Sequence, residues 1–256
     1  MALVDSPVLK RSPQPETQRL VVSLARSLED VKQAQLLRHN VFVEQLGARL
    51  GEQRGRLERD RFDPFCLHFI VRDTLTQRVV GTYRMLTPER ARVLGSFMAA
   101  REFDLARFDA VRADLAEVGR ACVHADYRRG ATIMLLWSAL AGYARRRGIR
   151  FLFGCVTLGL EGDDVDAYAI YDAVAPRHLA PREFRVVPLV SVPRRDNPTV
   201  APLRLPALLK GYLRAGGWVC GEPAWDPEFE TAELLVLLPL DHVEERYARH
   251  FLRPEN

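Results

Sequence analysis

Nowhere in its 256 residues does the chain hold an apolar run approaching the roughly 20 residues that a membrane-spanning helix needs. Residues 1–18, MALVDSPVLKRSPQPETQ, also lack the apolar centre of a secretory signal, so the expectation is a cytoplasmic protein with a frayed N-terminal tail. Cysteine is scarce: Cys66, Cys122, Cys155 and Cys220 have no C-x-x-C spacing and sit among apolar or aromatic neighbours. That argues against a zinc site or a disulfide framework and for reduced, mostly buried thiols. There is no excess of one charge in any segment. The 37 Lys and Arg against 33 Asp and Glu are mixed along the chain, giving +4 overall and a pI near 9.0. An excess that small, without a basic stripe interleaved with aromatics, excludes a nucleic-acid role but suits an acidic partner or an anionic membrane face.

What is present is an ordinary α/β pattern with 48% hydrophobic residues, enough for a sizeable core. RLVVSLARS (19–27) predicts a strand, and Glu29 to Gly47 repeats apolar residues at helical spacing up to a closing glycine. CLHFIVRD and RVVGTYRML, joined by TLTQ, predict an antiparallel hairpin. Residues 88–115 mix short helices and turns, and a strand follows near 116–124. Ala131 to Arg147 predicts a strong helix ending in cations and a glycine, and FLFGCVTL (151–158) a buried central strand. Asp163 and Asp164 then open a helix that stops at Pro176. The stretch 188–206, with prolines at 188, 193, 198, 202 and 206, predicts a connection. Beyond it come a helix around 206–215, the strand AELLVLLPL (232–240) and a closing helix ending near Leu252. The expected architecture is a single domain over 19–253, a mixed and mostly antiparallel sheet flanked by helices.

Four polar clusters interrupt segments that otherwise favour apolar residues: Arg38; the acids Glu58, Asp60 and Asp63 in LERDRFDPF; Arg84 in GTYRML; and Glu117 with Arg120 in AEVGRACVH. Singly, each has an ordinary structural use as a solvated loop, a snorkelling cation or a local ion pair. Their order and spacing say more. R-x-x-V-F with Phe42, E-x-D-x-F-D, V-G-T-Y-R and E-x-G-R together resemble the acyl-homoserine-lactone synthases among the GNAT-like N-acyltransferases. GRACVHADYRRGATIMLLWSAL, RFLFGCVTL and KGYLRAGGWVCGEPAWDPEFETAELLVLLPL resemble the bacterial ornithine lipid N-acyltransferases, from about residue 19 to 252.

The resemblance implies a GNAT-like fold with a C-terminal extension. It also implies transfer of a 3-hydroxyacyl chain from acyl carrier protein to the α-amine of ornithine, with no permanently bound cofactor. The donor is then an acyl-phosphopantetheine. One departure fits that donor: the pyrophosphate loop of coenzyme A users is reduced here to YRRGATI, with a single Gly130, so Val123, Arg128, Arg129, Gly130 and Ala131 would meet one phosphodiester. An ordinary turn before a helix explains the same residues.

Acyl transfer to an amine needs a proton acceptor and an oxyanion site. Glu117 is the candidate base and Arg120 its neighbour; backbone N–H groups from Cys122 to His124 are candidate oxyanion donors, with His124 a second base candidate. Ornithine needs an acid for its side-chain ammonium and a guanidinium for its carboxylate. Asp60 and Asp63, or Glu222 and Asp226, are expected to supply the first, and Arg84 or Arg120 the second. Arg38, Asp60, Asp63, Arg84, Glu117 and Arg120 also make sense as a buried ion-pair network. LLWSALAGY and FLFGCVTL are expected to line an acyl slot, or simply the core. The helix Leu205 to Arg214, apolar and edged with Arg204, Lys210 and Arg214, suits either a membrane surface or core packing. Alternatives with the same residues are an N-acyl amino acid or acyl-homoserine-lactone-type synthase, or a catalytically silent module binding acyl chains or carrier protein.

Overall fold

Ser27, shortly past the first strand, starts the first helix. Its hydroxyl accepts from the Asp30 N–H at 3.1 Å while the Asp30 carboxylate accepts from the Ser27 N–H at 3.1 Å, a reciprocal cap that fixes the chain between β1 (Leu20–Leu24) and α1 (Leu28–Arg38). The computed structural model describes residues 19–48, 55–158, 166–194, 203–227 and 229–243. Past α1 the helix widens into a π-helical turn, His39–Gln45, before Gly47 closes it at φ +71°. The hairpin β2 (Leu67–Asp73) and β3 (Val79–Leu86) forms over TLTQ because Asp73 Oδ1 accepts from the Leu75 N–H at 2.8 Å.

Short helices follow: α2 (Pro88–Leu94) and two 3₁₀ segments around β4 (Phe103–Asp104). Then come β5 (Leu115–Val123), α3 (Ala131–Arg146) and β6 (Phe151–Leu158), the strand-helix-strand unit expected from the apolar pattern. After α4 (Ala167–His178), β7 (Val187–Pro188) and α5 (Ala207–Arg214), the chain closes with β8 (Trp218–Val219), β9 (Ala224–Asp226) and β10 (Thr231–Pro239). The main sheet runs β1-β2-β3-β5-β6-β10-β8, with β9 also on β10. Its β5–β6 pair is parallel and every other pairing is antiparallel.

Several expectations shift. The fourth helix is capped by Asp166, whose Oδ1 accepts from the Ala169 N–H at 3.1 Å; Asp163 and Asp164 lie outside the described residues. It also runs past Pro176, because a proline in the last turn removes only one hydrogen bond and the Leu179 N–H still reaches Ala175 O at 3.0 Å. The proline-rich connection contributes β7, paired with β4, and a bridge from Ser191 to Ala224. The tail 1–18 and the closing helix near Leu252 lie outside the described residues. The apolar side of α5 is spent on the core: Leu209 and Tyr212 are buried, and the Tyr212 and Tyr83 hydroxyls share a 2.6 Å hydrogen bond. Among the described residues, no helix is long and apolar enough to cross a membrane.

Candidate active site

The site begins where two parallel strands stop pairing. β5 and β6 match only at Leu115–Phe151, Ala116–Leu152 and Glu117–Phe153, although both strands continue well beyond. Close approach at that point relies on Gly154, where an added Cβ would lie 2.1 Å from the Val118 carbonyl oxygen. Past it the strands splay around a cavity of about 1090 Å³. A bulge shapes its β5 wall: between Thr82–Cys122 and Arg84–Gly119 the strand carries one residue too many, and Arg120 takes φ +55°. Strict alternation would put Glu117 and Arg120 on opposite faces, yet both line the cavity.

Beneath this wall the scattered charges meet in one buried network. Arg38, with no exposed surface, donates Nε to the Glu58 carboxylate and Nη2 to Glu58 O (2.7 Å) and to both Asp63 oxygens (2.9 and 2.8 Å). Arg84 Nη1 donates to Asp60 Oδ1 (2.7 Å) and Asp63 Oδ1 (3.1 Å). Arg120 Nε donates to Glu58 Oε1 at 3.0 Å, and its guanidinium lies 4.6 Å from the centre of the Phe229 ring. Three guanidiniums thus face three carboxylates. Burial alone would raise the Asp60 carboxyl, but Arg84 and Arg120 more than offset it and hold it well below the usual carboxylate range. Of the network only Asp60, Arg84 and Arg120 line the cavity; Arg38 and Asp63 support them from behind.

A second set of acids behaves in the opposite way. Glu117 accepts from the backbone N–H groups of Met98 and of Ala99 (2.7 Å for the latter), yet burial pushes its carboxyl up to about 8. In the same lining, burial and then repulsion from Glu233 and Asp226 push Glu102 up to about 8. Burial, followed by repulsion from Asp226, raises Glu233 to about 7, although its Oε1 accepts from Thr157 Oγ1 at 3.0 Å. The lining also carries the cations Arg128, Arg204 and Lys210 and an apolar set, Val156, Ala169, Ile170, Leu205 and Leu208. Among the described residues, no group of His, Cys, Asp and Glu is arranged to hold a metal ion.

This geometry has known counterparts. Residues 37–138 match the acetyltransferase (GNAT) domain model. The L-ornithine N(alpha)-acyltransferase of Rhodobacter capsulatus is 36% identical over 91% of this chain and 94% of its own length, and that of Brucella abortus 34% identical over 91% and 88%. The chain belongs to the L-ornithine N(alpha)-acyltransferase family. This acyltransferase shares its fold with a CoA-dependent acyl-homoserine lactone synthase, BjaI, solved with SAM and isopentyl-CoA (TM-score 0.55, 17% identity, 89% of this chain and 85% of that one). It also shares it with FeeM, an N-acyl amino acid synthase (TM-score 0.52, 12% identity, 87% and 92%). The expected family and the GNAT-like sheet are therefore both borne out.

Not every expected site residue of the acyltransferase reaches the cavity. Cys122 turns toward α1, its Sγ 3.7 Å from Leu37 O, and burial pushes the thiol up to about 12. His124 instead caps a 3₁₀ turn, its Nδ1 accepting from the Asp126 N–H at 3.3 Å, while its own N–H goes to Val80 O at 2.9 Å. The expected oxyanion donors at 122–124 are thus at least partly committed elsewhere. Glu222 is exposed and accepts from the Tyr168 hydroxyl at 3.2 Å, apart from Asp226, which lines the cavity. Of the donor loop, Arg128 lines the cavity, held by Val123 O at 3.1 Å and Gln45 Oε1 at 2.8 Å. Arg129 is exposed, Gly130 takes φ +101°, and Ala131 is the first residue of α3, which has no side-chain cap. Phe42 lines the cavity as expected, but of the proposed acyl slot only β6 reaches it; Trp137 of LLWSALAGY packs against Tyr212 instead, the rings tilted by 36°. Glu102 and Glu233 were not anticipated. A lone carboxylate in AELLVLLPL was the available signal for Glu233; Glu102 carries none.

Proposed function

We propose that this acyltransferase moves a 3-hydroxyacyl chain from the phosphopantetheine of acyl carrier protein to the α-amine of L-ornithine, giving lyso-ornithine lipid. The amine nitrogen attacks the thioester carbonyl carbon, the C–N bond forms, the C–S bond breaks, and the sulfur leaves as the carrier's thiol. The observation that carries the reading is one cavity, opened where β5 and β6 part, whose lining combines cations, an apolar set and buried acids. A phosphodiester meets Arg128 and the uncapped N-terminus of α3, and the cations Arg128, Arg204 and Lys210 suit docking of an acidic carrier. The acyl chain lies along Val156, Ile170 and Leu208.

Glu117 is the base. It sits at the last β5–β6 pair, beside the point where a thioester enters the splay, and each of its oxygens keeps a lone pair beyond the N–H it accepts. Ala121, in the bulge between the Thr82–Cys122 and Arg84–Gly119 pairs, lines the cavity, and its backbone N–H is the oxyanion donor in this reading. Arg120, at the cavity wall, meets the acceptor's carboxylate. The test is to incubate purified protein with ornithine and the same 3-hydroxyacyl chain on carrier protein or on coenzyme A, and to read product masses. An α-amide formed mainly from the carrier supports the reading. Absence of amide with both donors, or preference for coenzyme A, refutes it.

A further inference from the structure

We infer that Glu102, Asp226 and Glu233 form the pocket for the acceptor's side-chain ammonium, which makes this cavity selective for a diamino acid; the inference rests on the acceptor proposed above. The three carboxylates come from separate elements, the 3₁₀ turn before β4, β9 and β10, and all line the same cavity. Asp226 and Thr231 are direct partners across β9 and β10, and Glu233 lies two residues beyond Thr231, so the pleat sets all three on one face. Thr231 shares that face without lining the cavity itself. It is only 8% exposed, and its hydroxyl, on the face that carries Asp226 and Glu233, has no hydrogen-bond partner. An ammonium offers three donors, and the three carboxylates of the lining offer acceptors.

The electrostatics point the same way. Arg101 acts on Glu102 and Arg120 on Glu233, and both are outweighed by burial and by repulsion among the acids and Glu117. A bound cation relieves that repulsion. Glu117 interacts with both Glu102 and Glu233, which places the ammonium pocket and the base within reach of one small ligand.

The test compares ornithine with 2-aminopentanoate, which has ornithine's carbon chain and lacks the terminal ammonium. The quantity read is the ratio of kcat/KM for the two acceptors in wild type, Glu102→Gln and Glu233→Gln. Because each ratio comes from one preparation, partial misfolding cancels. Loss of a charge-assisted hydrogen bond should lower the ratio roughly 10- to 150-fold in at least one variant, with the KM for the acyl donor little changed. A ratio unmoved in both variants overturns the ammonium pocket. A wild-type ratio near one instead overturns the acceptor reading itself, so the two failures are distinguishable.

Discussion

Replacing Arg38 by Met should be the most damaging change in the network. The guanidinium has no exposed surface and serves two acids at once, Glu58 through its carboxylate and carbonyl and Asp63 through both oxygens. Methionine fills much of the volume and removes the charge, leaving Glu58, Asp60 and Asp63 with Arg84 and Arg120 as their guanidinium partners. Removing one partner of a buried pair costs about 3–5 kcal/mol, because the remaining charge stays out of water. For a chain of this size each kcal/mol is about 2–4 °C in Tm, so the expected drop is roughly 6–20 °C. Thermal unfolding followed by circular dichroism at pH 7 reads it directly.

The cause is separable from lost packing by a second change. Glu58→Gln in the Arg38→Met background removes the orphaned charge, so the double variant should be less destabilised than the two singles added together, with a coupling of about 0.5–3 kcal/mol. A drop below about 2 °C for Arg38→Met, set against the roughly 2–4 °C per kcal/mol above, would refute the network's energetic role. So would strict additivity of the pair.

Glu117→Gln should lower kcat by about 10²- to 10⁴-fold with a smaller change in KM, and the wild-type kcat should rise with pH toward about 8, where the Glu117 carboxyl ionises. Gly154→Ala drives a methyl against the Val118 carbonyl 2.1 Å away, a backbone atom that cannot swing aside, and should cost about 1–3 kcal/mol by denaturant unfolding. Burial raises Glu102 and Glu117 to about 8 and Glu233 to about 7, so the folded state favours their protonated forms. The stability they contribute is fully present below the ordinary carboxyl range and is lost as pH rises through 7 to 8. Tm without ligand should therefore fall from pH 6 to pH 9, less steeply in Glu233→Gln. Asp60, held low, adds the opposite limb: its contribution is lost as pH falls below the ordinary carboxyl range.

Elements with one dominant periodicity were legible before any coordinates. FLFGCVTL is the strand Phe151–Leu158 to the residue, and the long apolar helix ends within one residue of its expected boundary. What was hidden depends on one residue of backbone or on distance in sequence. The bulge at Arg120 is invisible to an alternating pattern, yet it brings Arg120 to the cavity beside Glu117 while Cys122 is left facing α1. Pro176 reads as a stop, but near a C-terminus its missing N–H costs a single bond. Glu102 and Glu233 are 131 positions apart, one on a turn outside the main sheet and one on β10, and only the tertiary fold brings them into one cavity.

Asp60 and Asp63 were the natural candidates for an ammonium, since motif and spacing single them out, and the balance of charges argues against them. Both already hold Arg84, and Asp63 also holds Arg38, so an incoming ammonium must displace a buried guanidinium at about 3–5 kcal/mol before it gains anything. At Glu102 and Glu233 the balance is reversed, because burial and repulsion among the acids outweigh the cations that act on them. The two acid sets should then fail differently. Asp60→Asn weakens the Arg84 anchor and should lower Tm and slow turnover of ornithine and 2-aminopentanoate by the same factor, leaving their ratio intact. If that substitution instead collapses the ratio while the Glu102 and Glu233 variants preserve it, the ammonium sits on Asp60, and the guanidiniums around it must rearrange when substrate binds.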